Sequence, residues 1–122
     1  MASIAAEVFA LARGIRYVAV NQNGKIVEMT QNPSMPSLNP TDTDRMEELI
    51  VNPVLIELTR RRGELDLSGI RYVVVRYGVL DELVFPYGTG HLSVGVEPDV
   101  DVIRVAQEVE KYVNASSRTQ PP

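Results

Sequence analysis

Apolar and polar positions follow two different periods along this chain, and the switches between them predict most of its elements. Residues 3–13 set Ile4, Ala5, Val8, Leu11 and Ala12 at helical spacing, with Ser3 at the N-cap position and Gly14 just past the end, which predicts a short amphipathic helix. Gly14-Ile15-Arg16-Tyr17-Val18-Ala19-Val20 then reads as a strand, and its nearly continuous apolar character suits one covered on both faces. The chain writes it again as Gly69-Ile70-Arg71-Tyr72-Val73-Val74-Val75, identical at six of seven positions. Two such copies are expected in similar helix-covered surroundings, although one period with identity confined to a strand does not establish a duplication.

Asn23-Gly24 tolerates the positive φ of a tight hairpin turn, so Lys25-Ile26-Val27-Glu28-Met29 is the returning strand. Residues 31–40 carry three prolines and no period, which predicts a loop. A long helix begins at Thr41, where Thr41 and Asp44 resemble a capping box and Asp42, Asp44, Glu47 and Glu48 complement the helix dipole. Arg60-Arg61-Arg62-Gly63 predicts its end, and Asn52-Pro53 inside it predicts a kink or two abutting helices. Met46, Leu49, Ile50, Val51, Val54, Leu55, Ile56 and Leu58 cover more arc than one sheet contact needs, so the surplus is expected to face a partner.

After the second Gly-Ile-Arg-Tyr strand, Tyr77-Gly78 turns the chain into Asp81–Tyr87, where Pro86 must sit at a bulge or strand end. Gly88-Thr89-Gly90 turns it again into His91–Val96. Pro98-Asp99 opens the last helix, striped by Val102, Ala106, Val109 and Val113. The whole predicts an α/β (α+β) fold: a single mixed or antiparallel five-stranded sheet with helices on both faces, in the order α-ββ-α-βββ-α. Residues 1–113 form one domain with a Pro-rich loop at 30–41, and the polar residues 114–122 form a disordered tail.

Composition narrows the function classes. At 122 residues, 44% hydrophobic and 23% charged, the chain is one ordinary globular domain. It has no cysteine, hence no disulfide, thiolate metal site or cysteine nucleophile. A net charge of −4 argues against nucleic-acid binding. No apolar stretch approaches a membrane span, and Glu7 interrupts the apolar start with no basic region before it, so no signal peptide is read and the expected location is cytoplasmic.

Chemistry is thinly signalled. His91, the only histidine, has no Ser-His-Asp or metal-ligand spacing around it and reads as a surface or hydrogen-bonded residue. Gly88-Thr89-Gly90 lacks the spacing of a phosphate loop. Arg60-Arg61-Arg62 reads as solvated charge at a helix end, and the acidic residues 42–48 and 97–101 as helix-start charge. Arg16 and Arg71 either lie at the sheet margin with buried stems or pair with an acidic partner surface. No catalytic residue, cofactor site or metal site is assigned.

The element order resembles the roadblock/dynein light chain family over residues 3–113, and the phrases Gly69–Tyr72, Val75–Gly78 and Gly90–Val94 resemble small uncharacterised archaeal proteins. Profilin and longin domains are similar in general shape. The resemblance implies that the Ile70 strand lies at the sheet edge, where subunits pair edge to edge while their long helices pack together. It therefore implies a homodimer whose interface includes Ile70, Arg71, Tyr72, Val73, Val75, Val51, Leu55 and Leu58. Such dimers bind small Ras-like GTPases or serve as adaptors in signalling, trafficking and motility. The resulting reading is a cytoplasmic, non-enzymatic dimeric adaptor. A PAS-like or GAF-like sensor with a pocket between the sheet and the Pro-rich loop is the second reading, and an enzyme of unrecognised type the third.

Overall fold

A computed structural model describes residues 3–33 and 42–119. Helix α1 (Ile4–Phe9) starts where the Ser3 hydroxyl accepts from the Ala6 N–H. Its next orphan donors, Ile4 N–H and Ala5 N–H, are taken by the Glu28 carboxylate of the neighbouring hairpin. That hairpin comprises β1 (Ile15–Gln22) and β2 (Lys25–Gln31), joined by Asn23 at φ 55° and Gly24 at φ 76°, the two left-handed residues its sequence predicts.

The long helix has three parts. Helix α2 (Asp42–Met46) passes through one π-helical turn, Glu47–Val51, into α3 (Asn52–Asp66). Pro53 cannot donate a helical hydrogen bond, and the wider turn just before it, closed by Asn52 N–H donating to Glu47 C=O, accommodates the irregularity that the sequence places there. The Thr41 cap and the Pro-rich stretch from 34 onward lie outside the described residues. The predicted stop at Gly63 is corrected: the helix continues to Asp66. Gly63 is buried inside it because a Cβ there would overlap the carbonyl of Gly69. The Gly63 carbonyl accepts from Leu67 and Gly69 N–H groups, and Ser68 at φ 63° makes the left-handed turn.

Strands β3 (Val73–Arg76), β4 (Asp81–Tyr87) and β5 (Gly90–Val96) complete one antiparallel sheet in the order β2-β1-β5-β4-β3. The two copies of the repeated motif therefore part company. The first is an inner strand, buried at six of its eight positions. The second is an edge strand of only four residues, alternately half-buried and exposed, while Gly69–Tyr72 lie outside the ladder. The expectations of a strand covered on both faces and of equivalent surroundings fail for this copy, because Val74 and Arg76 are exposed on one face and only β4 flanks it. Arg76 and Asp81, paired across β3 and β4, lock the far end through two charged hydrogen bonds of 2.9 and 3.0 Å to a carboxylate that is fully buried.

The sheet's two faces differ chemically. Ile15, Val18, Val20, Leu83, Phe85, Leu92, Val94 and Val96 pack against α1 and α4 (Val102–Thr119), whose Val102, Ala106, Val109 and Val113 are buried as their spacing predicts. This is the apolar core. Helix α4 begins at Val102 rather than at Pro98, with the Asp101 side chain accepting from Arg104 N–H, and it runs through Thr119, six residues beyond the predicted end at Val113. The opposite face, carrying Tyr17, Asn21, Glu82, His91 and Ser93, lies under the long helix.

Candidate functional site

The polar face follows from a period of two. Tyr17 and Asn21 share a side of β1, His91 and Ser93 a side of β5, and Glu82 joins them from β4 through its pairing with Gly95. The helix contributes Glu48 and Asn52, four residues apart and so on one face. All seven are buried. Helix-start charge thus fails as an account of Glu48, which is 1% exposed and forms the centre of the cluster.

Glu48 is held by converging donors. Tyr17 Oη donates to its Oε2 at 2.9 Å, and Ser93 Oγ and Asn52 Nδ2 donate to its Oε1 at 2.5 and 3.2 Å. His91 Nε2 lies 2.8 Å from the same Oε1. Asn52 Nδ2 also donates to Ser93 Oγ at 2.9 Å, which fixes the serine's proton on the carboxylate side, and Asn21 Nδ2 donates to the Glu48 backbone carbonyl at 3.1 Å. Histidine, serine and a carboxylate meet here, but their order is wrong for nucleophilic catalysis. Ser93 gives its proton to the acid rather than to the imidazole, and it is fully buried. The cluster works as a bolt between the helix and the sheet. Burial and the Glu48 carboxylate together push the Tyr17 hydroxyl far above its ordinary range, keeping it a donor.

Glu82 stands apart in the same cluster. It is 3% exposed, and its Oε1 has no hydrogen-bond partner among the described residues. Burial, then the nearby Glu48 and Glu47 charges, raise its carboxyl well above the usual carboxylate range, against a smaller opposing effect of Asn52. A carboxyl protonated in the folded state but free to ionise when unfolded makes stability fall as pH rises from about 4.3 through the raised folded value. Glu82→Gln is therefore expected to exceed the parent in stability at neutral pH and to lose part of that decline, as urea midpoints between pH 4 and 8 would show.

Beside Glu82 a cavity of about 620 Å³ opens between the sheet and the start of the long helix, with Arg16, Tyr17, Met46, Glu47, Tyr77 and Leu80 among its walls. Tyr77 Oη donates to Glu47 Oε1 at 2.8 Å, and burial followed by this bond pushes the Tyr77 hydroxyl up to about 12. Burial also raises the Glu47 carboxyl, opposed by the Tyr77 bond.

The residues expected at a partner interface fall on one side of the molecule in part. On α3, Leu58 is exposed and Leu55 half-buried; Val51, in the π-helical turn, is half-buried too. Beyond these the helix leaves Met46, Ile50, Val54 and Leu65 exposed at 49%, 59%, 51% and 80%. Val73 and Val75, opposite Val84 and Glu82, lie on the face that the long helix covers. Tyr72 turns inward instead, 5.3 Å from Phe85 ring to ring, and Ile70 is half-buried. Arg71 binds Glu110 of α4 through two 2.7 Å hydrogen bonds, and Arg16 pairs with Glu97 at 2.7 Å. Both arginines thus have intrachain carboxylates. Arg60, Arg61 and Arg62 pair with Glu57, Glu64 and Asp66 along their own helix, exposed contacts of small energetic weight.

Among the described residues no helix is long and apolar enough to cross a membrane. No family model and no curated protein matches the chain. Solved structures do. The chain is similar to a Roadblock/LC7 domain from Streptomyces avermitilis, with 19% identity over 93% of this chain and 94% of that one, at a TM-score of 0.66. It is also similar to MglB in a tetrameric arrangement, with 14% identity over 93% and 82% of the two chains and a TM-score of 0.67. A third similar structure is the gliding protein MglB from Thermus thermophilus, with 13% identity over 90% and 85% and a TM-score of 0.57. The fold is roadblock-like, as the element order implies.

Proposed function

We propose that this chain is a non-enzymatic adaptor domain that works as a homodimer, joined through the β3 edge and the exposed face of the long helix. The observation that carries this is the coincidence of two unpartnered surfaces. The long helix is bolted to the sheet through a polar cluster and leaves Met46, Leu49, Ile50, Val54, Leu58 and Leu65 exposed, while β3 offers three valines on an edge that no described strand covers. The opposite edge is a poorer candidate: β2 carries Lys25 and Glu28, and Glu28 is committed to capping α1. A two-fold axis beside β3 would extend the sheet and bring two long helices together, burying both liabilities at once. The domain then presents a rigid dimeric platform for a regulatory partner, of which a small Ras-like GTPase is the class that the roadblock resemblance implies.

Light scattering coupled to size exclusion, run over a hundredfold range of concentration, tests the dimer. The parent is expected at twice the mass of its chain and Val73→Asp at the monomer mass, with the variant's circular dichroism unchanged. A parent that stays monomeric throughout would sink the proposal.

A further inference from the structure

We propose that the cavity between the sheet and the start of the long helix binds a small organic cation, an amine or guanidinium carrying an apolar body. Its volume of about 620 Å³ falls within the range of small-molecule sites. Its chemistry is one-signed. Among the described residues, Asp44, Glu47, Glu48 and Glu82 line it against one cation, Arg16, whose Nη2 is engaged by Glu97 at 2.7 Å while its buried Nε has no partner. The acidic character alone would only describe a surface; the buried Glu82 makes it a site. Glu82 is 3% exposed and lies in the wall of the cavity, and its Oε1, unpartnered among the described residues, is itself closed to solvent, so a donor bound in the cavity meets the carboxyl only as the side chain turns outward, which ends the cost of an unpaired acceptor. An ammonium or guanidinium group supplies both the donor and the charge that favours ionised Glu82. The apolar body has its own surroundings: Met46, Val79 and Leu80 line the cavity, together with Tyr17 and Tyr77. An anionic ligand would meet carboxylates of its own sign, and a neutral one would leave Glu82 unionised.

The inference goes beyond the adaptor reading and does not depend on it, since a monomer that binds amines would fail one and satisfy the other. Isothermal titration of the full chain with phenethylamine and with agmatine, and with 2-phenylethanol as the neutral counterpart, tests it. Saturable one-to-one binding of at least one of the two cations is expected, with no binding of the alcohol. Glu82→Gln, nearly isosteric, should weaken the cation at least tenfold, and Glu47→Gln several-fold. Glu108→Gln, on α4 and outside the cavity lining, should leave affinity within twofold. Should Glu82→Gln fail to fold, the Glu47→Gln result decides, because Glu47 is only half-buried. Absence of saturable binding by both cations, equal binding of the alcohol, or unchanged affinity in the glutamine variants overturns the proposal.

Discussion

Glu48→Ala is expected to destabilise the protein by about 3–5 kcal/mol, the cost of removing one member of a buried charged network and leaving its partners unpaired. Four side chains lose their acceptor at once: Tyr17, Asn52, His91 and Ser93, each 7% exposed or less. Every buried donor so orphaned carries a desolvation penalty of roughly 1–3 kcal/mol. The full sum overstates the effect, because Asn52 and Ser93 keep the hydrogen bond between them and because removing the Glu48 charge eases the strain on Glu82. Urea unfolding read by circular dichroism measures the loss, and Glu57→Ala on the exposed side of the same helix region is the control. A loss below about 1 kcal/mol would mean that the cluster does not fasten the helix to the sheet. The contrast with Glu82→Gln is instructive: two buried glutamates in one cluster are predicted to have opposite signs, since one is surrounded by donors and the other is not.

Leu58→Glu is expected to turn the proposed dimer into a monomer. Leu58 is 63% exposed in the isolated chain, one helical ridge along from Val54 and Ile50. Burying a leucine contributes about 1.5–3 kcal/mol. Two-fold symmetry counts each substitution twice, so the loss is roughly 3–6 kcal/mol, or about 10²–10⁴ in dissociation constant. Facing carboxylates across the axis would add repulsion. Because Leu58 already meets solvent in the monomer, the fold should tolerate the change, and sedimentation equilibrium with an unchanged thermal midpoint at low concentration would separate lost association from lost folding. A variant that still dimerises at the parent's affinity would place the interface elsewhere.

Where each residue's neighbours lie close in sequence, the structure follows the pattern closely. Asn23-Gly24 turns as its tolerance of positive φ requires, Ser3 caps α1, and the Val102-Ala106-Val109-Val113 stripe seats α4 on the apolar face. Asn52-Pro53 marks the irregularity in the long helix, although the helix resolves it as a wider turn. The ends of helices are harder to place. Gly63 sits where a stop belongs, yet it lies inside the helix because the returning chain at Gly69 leaves no room for a side chain. The polar cluster leaves a periodic signal: Tyr17 and Asn21, and His91 and Ser93, share one side of their strands by a period of two, while Glu48 and Asn52 share one side of the helix by a spacing of four. Taken singly they resemble ordinary surface residues.

By itself the sequence determined the kinds of element, their order and the apolar core, because backbone sterics and local hydrophobic period act over a few residues. Only the tertiary structure decided that two nearly identical strands would have opposite fates. Strand order is set by which edges meet across the whole chain, so Ile15–Gln22 became an inner strand while Val73–Arg76 became an edge. It also decided that one glutamate at the start of the long helix, Glu48, leaves water to fasten helix to sheet while Glu47 stays half-exposed beside a cavity. The physical reason is the π-helical turn, which sets how these two neighbours face the sheet, and a polar sheet face that supplies the donors a buried carboxylate needs.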